Sequence, residues 1–183
     1  VEDILKELKN VLENIPILFT FRTADEGGAK EIESSAYAKL NKTVAATGYA
    51  DLVDVEVFSG DMVVKDIVDE AHRHGVKVAL SNHDFDKTPQ KEEIVRRLCY
   101  MQELEADILK IAVMPKSPRD VLTLLAATEE MYRLHADRPL ITMSMGGQGV
   151  LSRFGGEIFG SAVTFGSAGK VSAPGQIAAE EME

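Results

Sequence analysis

The stretch VKVALSNHDFDKTP, residues 76–89, runs from a short apolar segment into a polar turn that contains His83. The apolar segment is rich in Val, Ala and Leu, a composition typical of a strand buried in a parallel sheet. Thr88 and Pro89 end the turn and precede a helical pattern, as residues at a helix start do. The stretch therefore predicts a strand, a polar turn and a helix, with a histidine where the strand ends.

The same strand and helix pattern recurs along the chain. Helical patterns with apolar residues near i, i+3 and i+4 alternate with further apolar runs. These runs are IPILFTF from Ile15, DLVDVEV from Asp51, ADILKIAV from Ala106, RPLITMSM from Arg138 and GSAVTFG from Gly160. The fold class is therefore α/β, with a parallel sheet that is either open or closed into a (β/α)8 TIM barrel. The six runs would supply about six of the eight barrel strands.

Polar residues at the strand ends favour the barrel over an open nucleotide-binding sheet. No glycine-rich phosphate-binding fingerprint follows the first apolar run. Instead, polar residues recur where successive strands end, which is where a barrel places its active site. These residues are Arg22, Asp54, Glu56, His83, Lys110 and Ser144.

Composition narrows the function classes. At 183 residues, we expect residues 1–183 to form a single domain. The formal net charge of -10 disfavours partners such as nucleic acid or an anionic membrane. Cys99 is the single cysteine, which fits a reducing compartment such as the cytoplasm. The first residues, VEDILKELKNVLE, have a helical pattern and not that of a signal peptide.

His83 differs from the other three histidines. His72, His74 and His135 lie near predicted helix C-termini, where the backbone dipole favours a cation. His83 follows a buried strand, so it is either a hydrogen-bonded strand-end residue or a group that transfers protons.

Lys110 lies inside the apolar strand of ADILKIAVMPKS. Burial disfavours an ammonium and favours the neutral amine, which is a nucleophile that can form a Schiff base with a ketone or aldehyde. The alternative is that Lys110 pairs with a carboxylate such as Glu56 or extends to solvent. Together, a carbonyl-activating lysine and a base such as His83 are what proton abstraction next to a carbonyl requires.

Other residues are candidates for binding a substrate. Arg22 and Arg153 can each make a forked contact with a carboxylate, or can be ordinary surface ion-pair residues. The small residues of GSAGKVSAPGQI, which follows the last predicted strand, allow close backbone approach. Barrels often bind phosphate in this region, so a phosphosugar substrate for a Schiff-base aldolase stays open at this point.

Six motifs, in this order, resemble those of the type I 3-dehydroquinate dehydratases. They are FTFRTADEGG, SNHDFDKTP, DILKIAVMP, ITMSMGG, SRFGGEIFGSAVTFG and SAPGQI, and the similarity runs through almost the whole chain. The resemblance implies a homodimeric (β/α)8 barrel of the shikimate pathway. It implies dehydration of the small molecule 3-dehydroquinate to 3-dehydroshikimate without a metal or diffusible cofactor.

The resemblance also assigns residue roles. Lys110 would form the imine, His83 would be general base and then general acid, and Glu26 would orient the histidine. The positions that match the family's ligands for the substrate carboxylate and hydroxyls are Arg22, Arg153, Ser172 and Gln176.

The sequence departs from the family pattern in several places. Two N-terminal βα units, one with an EWR-type substrate motif, and a C-terminal helix have no counterpart, so we expect an incomplete enzyme. An inactive barrel remnant is the alternative that these missing parts leave open. Glu105 stands where a Gly is usual, and Leu109 where a Pro usually precedes the lysine.

Overall fold

Helices and strands alternate as the apolar runs predict. The computed structural model describes residues 1–169 and 173–182. The main elements are α1 Glu2–Leu12, β1 Leu18–Thr20, α2 Ser34–Ala46, β2 Leu52–Glu56, α3 Asp61–Arg73, β3 Lys77–Asp84, α4 Lys91–Glu103, β4 Ile108–Val113, α5 Pro118–Leu134, β5 Leu140–Ser144, α6 Val150–Phe154, α7 Gly156–Phe159, β6 Gly166–Ser167 and β7 Ile177–Ala178. Strand β2 pairs in parallel with β1 and β3, and β4 pairs in parallel with β5. Among the described residues, no helix is long and apolar enough to cross a membrane.

The helix boundaries confirm the start and stop residues predicted from the sequence. Ser117 and Asp120 form a capping box before α5, and Pro118 takes the first helical position. Gly75 follows α3 with a φ of 73°, in the left-handed region that favours glycine. His74 and His135 are the C-cap residues of α3 and α5, so the prediction for these two histidines is confirmed.

The chain forms two compact units, and the first comprises Val1–Asn82 and Glu103–Ile108. In this unit β2 pairs with both β1 and β3, with Glu56 opposite Ser81. Val53 and Val55 are fully buried on one face of β2, while Asp54 and Glu56 point to the other face. The sheet thus carries two carboxylates on a buried surface, next to the end of β1.

The second unit comprises His83–Gln102 and Leu109–Glu183. Here β4 pairs with β5, and Lys110 lies opposite Ile141. The backbone N–H of Leu109 donates to the carbonyl of Pro139 at 3.0 Å, a bond that a proline at position 109 could not make. The unusual leucine therefore adds one hydrogen bond to the ladder beside the lysine.

The sixth apolar run differs from the prediction. GSAVTFG was expected to form a full strand, but it makes one parallel bridge, between Ser161 and Leu140, and its last residue, Gly166, begins the short strand β6. Gly160 begins the run with a φ of 100°, where a Cβ would lie 2.3 Å from the Tyr132 ring. The run therefore begins with a left-handed turn against Tyr132 and pairs with β5 at a single residue.

Glu105, two residues after the end of α4, adopts a left-handed backbone conformation. Its φ is 62°, and it is exposed to solvent. This conformation costs a residue with a Cβ about 1–2 kcal/mol, whereas glycine adopts it readily. The position at which the resemblance pointed to a glycine is thus one where glycine suits the backbone.

We expect Glu105→Gly to raise the free energy of unfolding by about 0.5–1 kcal/mol, because relief of strain outweighs the entropy that glycine gains in the unfolded chain. Chemical denaturation of both proteins measures the difference. The matched control is Glu103→Gly, at the end of α4, which should lower the free energy of unfolding by about 1 kcal/mol. Equal losses in the two variants would contradict the argument.

Candidate functional site

Arg22 lies in an ion-pair network on the first unit. Its Nη2 donates to Asp54 at 2.6 Å, and its Nη1 donates to Glu56 at 2.9 Å and contacts Glu26 at 3.4 Å. Ser81 joins the network, because its hydroxyl donates to Asp54 at 2.6 Å. The face of β2 that carries Asp54 and Glu56 therefore binds the arginine that follows β1.

Opposite charges outweigh burial at this arginine. Burial alone would lower the pKa of Arg22, but the negative charges of Asp54, Glu56 and Glu26 raise it above its ordinary value. Removal of one of these carboxylates would leave the buried Arg22 cation with fewer opposite charges, which would lower the free energy of unfolding.

Glu26 is buried on a short 3-10 turn, Ala24–Glu26. The side-chain amide of Asn82 donates to one of its carboxylate oxygens at 3.2 Å, while Arg22 contacts the other. Two polar groups thus set the orientation of this carboxylate. Of the predicted site residues in the first unit, Arg22 and Glu26 are in direct contact.

A cavity of about 570 Å³ opens beside this network on the first unit. Its lining includes Thr23, Glu26, Glu31, Tyr37 and Glu56. Burial raises the pKa of Tyr37, whose hydroxyl accepts a hydrogen bond from the backbone N–H of Glu56 at 2.9 Å. The carboxylates make the cavity negative, so it suits hydroxyl or cationic groups better than an anion.

On the second unit, the turn after His83 is tied down by Asp84. The Asp84 side chain accepts the backbone N–H groups of Asp86 and Lys87 at 3.2 and 3.0 Å. Its backbone carbonyl accepts the N–H of Met114 at 2.9 Å. His83 itself is half-buried at the end of β3, so the polar turn holds it on an ordered backbone.

Arg97 supports the same turn from α4. Its guanidinium lies 3.6 Å from the Asp84 carboxylate and donates to Glu93 at 2.7 Å. Hydrogen bonds from Arg96 and Arg97 lower the pKa of Glu93 to about 2, so Glu93 stays ionised at neutral pH. The helix thus holds the turn through charge pairs.

Lys110 lies where the alternation of β4 predicts. Its side chain is 6% exposed, and its strand neighbours Leu109 and Ile111 are fully buried. The Nζ atom lies 4.9 Å from the centroid of the Phe165 ring. The ring covers one side of the amine, and its face attracts the ammonium form.

Arg153 is buried without a carboxylate partner among the described residues. It is 4% exposed, and its contacts are the Met143 sulfur at 3.7 Å and the Pro174 carbonyl at 3.4 Å. Its Nε has no hydrogen-bond partner in the described part of the chain. Burial lowers the pKa of Arg153. A buried guanidinium with an unused donor is chemically able to bind an anion such as a carboxylate.

Close backbone approach builds the surroundings of Arg153, as the small residues predict. A Cβ on Gly175 would lie 2.3 Å from the carbonyl oxygen of Gly146. The N–H of Gly146 donates to Pro174 at 3.0 Å, and Gln176 donates from its side chain to Gly166 at 3.0 Å. Ser172, the remaining predicted ligand, lies outside the described residues.

Sequence reasoning missed the contacts that three residues of the first unit make. Asp54 and Glu56 were noted as strand-end carboxylates, but their joint hold on Arg22 was missed. The signal was present, because residues i and i+2 of a strand share a face. Asn82 was missed altogether, since a polar residue at a strand end has no distinctive pattern.

Comparison with known proteins identifies the family. The family model described as type I 3-dehydroquinase matches residues 1–183. A 3-dehydroquinate dehydratase of Clostridioides difficile strain 630 is 59% identical over 182 residues, which is all of this chain and 71% of that relative. A 3-dehydroquinate dehydratase of Listeria welshimeri is 58% identical over 182 residues, and the match covers 100% of this chain and 72% of that relative.

Solved structures agree with the sequence relatives. A type I 3-dehydroquinate dehydratase from Clostridium difficile, described with covalent modified comenic acid, has a TM-score of 0.95 and 58% identity, and the match covers 99% of this chain and 71% of that one. A 3-dehydroquinate dehydratase from Geobacillus kaustophilus has a TM-score of 0.95 at 41% identity, covering 98% of this chain and 70% of that one. The chain has the α/β fold of these TIM-barrel proteins.

Proposed function

The chain belongs to the type I 3-dehydroquinase family, and we propose that it carries out the family's reaction through an imine on Lys110. The reaction is the dehydration of 3-dehydroquinate, a hydro-lyase step of the shikimate pathway. One observation carries the proposed mechanism: a lysine only 6% exposed lies inside an apolar strand of a chain that the family model matches from end to end. Family membership decides for the dehydratase over the aldolase.

The imine makes the proton on the neighbouring carbon of the substrate acidic. The neutral Nζ of Lys110 attacks the ketone carbon, and loss of water gives a protonated imine. Its positive nitrogen accepts the electron pair that is left when the neighbouring C–H bond breaks. A solved relative described with covalent modified comenic acid supports covalent chemistry in this family.

His83 is proposed to move the protons. It removes the proton next to the imine to give an enamine, and then donates that proton to the departing hydroxyl, which leaves as water. Hydrolysis of the conjugated imine releases 3-dehydroshikimate and restores Lys110. Glu26 is proposed to orient the imidazole, a role that suits a buried carboxylate held by Asn82 and Arg22.

Arg153 is proposed to bind the substrate carboxylate. Its buried cation has no carboxylate partner among the described residues, so an anionic ligand would supply the missing charge. Arg22, Gln176 and Ser172 are proposed to bind the carboxylate and hydroxyls, as the family motifs imply.

Three further proposals concern the whole protein. The substrate is a small molecule, and we propose that residues 1–183 act as one catalytic domain, that the enzyme is a homodimer and that it works in the cytoplasm. The family resemblance supports the first two. The single free cysteine, Cys99, is compatible with a reducing compartment.

We expect borohydride, added with 3-dehydroquinate or its product, to trap a covalent adduct on Lys110. Reduction turns the imine into a stable secondary amine, so mass spectrometry detects the adduct and peptide mapping locates it. Lys110→Ala should abolish trapping, and Lys110→Arg should not restore it, because the guanidinium stays protonated. Lys116→Ala is the control and should label normally, while a label on Lys77 or Lys116 would refute the assignment.

His83→Ala should still form the imine but turn over more slowly, by about 10²–10⁴-fold. The variant keeps the electrophile and loses the group that transfers the protons. The conjugated enone of the product reports turnover, and mass spectrometry after a brief borohydride quench reports the imine. Turnover at the wild-type rate would remove His83 from the mechanism.

Arg153→Met should raise KM by about 10²-fold, because two charge-assisted hydrogen bonds to the substrate carboxylate are lost. The same change should raise the free energy of unfolding without substrate by about 1 kcal/mol, because it removes a buried cation that lacks a carboxylate partner. Steady-state kinetics and denaturation measure the two effects. Arg153→Lys is the control, with an intermediate KM, and an unchanged KM in Arg153→Met would exclude carboxylate binding.

A further inference from the structure

The Glu56 carboxylate holds the loop between β1 and the turn that carries Glu26. One oxygen accepts the backbone N–H of Thr23 at 2.8 Å and the Arg22 guanidinium at 2.9 Å. The other oxygen accepts the Thr23 hydroxyl at 2.7 Å. Glu56 is 4% exposed, so these three bonds form where water cannot readily replace them.

Thr23 passes this constraint to the turn. Its carbonyl accepts the N–H groups of Glu26 at 3.2 Å and Gly28 at 2.7 Å, so one peptide unit closes the turn. A Cβ on Gly28 would lie 1.9 Å from the carbonyl oxygen of Arg22, which shows how closely the chain folds back on itself. A shift of Thr23 would therefore move Glu26 with it.

Glu56 is itself held from two sides. Its backbone N–H donates to the Tyr37 hydroxyl at 2.9 Å, and Tyr37 is fully buried on α2. On the sheet, β2 pairs with strands on both sides, and Glu56 lies opposite Ser81. The carboxylate thus projects from a fixed backbone, as a group that positions another residue must.

We propose that Glu56 is a positioning residue that sets the place of Glu26. The proposal rests on the proposed function, in which Glu26 orients the catalytic histidine. The role requires a carboxylate, because three donors converge on its two oxygens. A glutamine has one acceptor oxygen and would turn an amide N–H₂ toward at least one of those donors.

Glu56→Gln should lower kcat by about 10-fold or more, because misplacement of Glu26 weakens the proton-transfer step. Any change in KM reports the separate contact of Glu56 with Arg22, a proposed substrate ligand. A double-mutant cycle with Glu26→Gln distinguishes an effect through Glu26 from a general structural effect. If Glu56 acts through Glu26, then adding Glu56→Gln to Glu26→Gln should lower kcat by less than about 2-fold.

Glu31→Gln is the matched control. Glu31 lines the same cavity, and in the described residues no hydrogen bond joins it to Arg22 or Thr23. Its removal changes the cavity charge equally, so kcat should stay at the wild-type value. An equal fall in kcat for the two variants would mean that charge alone is responsible, and additive losses in the double mutant would mean that Glu56 acts independently of Glu26. Either result overturns the inference.

A second pair of variants covers the case in which Glu56→Gln does not fold. Thr23→Val keeps the shape and backbone N–H but loses the hydroxyl bond to Glu56, whereas Thr23→Ser keeps the hydroxyl. Thr23→Val should lower kcat by about 3-fold or more, and Thr23→Ser should match the wild type. Equal values for the two would refute the inference. A wild type without dehydratase activity or trapping would instead refute the proposed function.

Discussion

Desolvation of charged side chains is the constraint on which the rest of this structure depends. A parallel sheet is covered on both faces, so a charged side chain on one of its strands points into surroundings with little water. In the first unit, Arg22 pairs with Asp54 and Glu56 and contacts Glu26. In the second unit, buried Arg153 has no carboxylate partner among the described residues.

The contrast between paired and unpaired buried charges distinguishes side chains that hold the geometry of the site from side chains suited to bind a ligand. A paired, buried charge is already compensated, and its removal exposes its partners, so Glu56 and Asp54 are suited to hold geometry. An uncompensated buried cation gains the most from an anion, so Arg153 is suited to bind one. The carboxylate of 3-dehydroquinate supplies such a charge. The unit that contains Arg153 also contains Lys110, the proposed nucleophile.

Much of the fold could be predicted because local patterns reflect burial. Strands β1 to β5 and the five long helices overlap the runs that the apolar spacing picked out, although β3 extends past its run to Asp84. GSAVTFG was the exception: its composition favours a strand, but it starts with Gly160 turned left-handed against Tyr132 and makes one bridge to β5. That contact joins residues far apart in sequence, so no local pattern contains it. The ring contact of Lys110 with Phe165 escaped prediction for the same reason.

The site shows a similar division between what is local and what is not. The positions of His83 and Lys110 followed from strand ends and alternation, whereas the hold of Glu56 on Thr23 depends on the register between β1 and β2. Register is set by packing on both faces, which a single sequence does not encode in any short stretch.

An unfavourable feature is therefore not by itself a sign of function. The left-handed Glu105 and the uncompensated Arg153 both cost free energy, yet Glu105 is exposed and its side chain makes no hydrogen bond in the described residues. Its strain can be removed without any loss of chemistry. The cost of burying Arg153 is different, because the proposed binding of the substrate carboxylate would offset it. Glu105 and Arg153 differ in whether the proposed substrate would offset the free-energy cost of the residue.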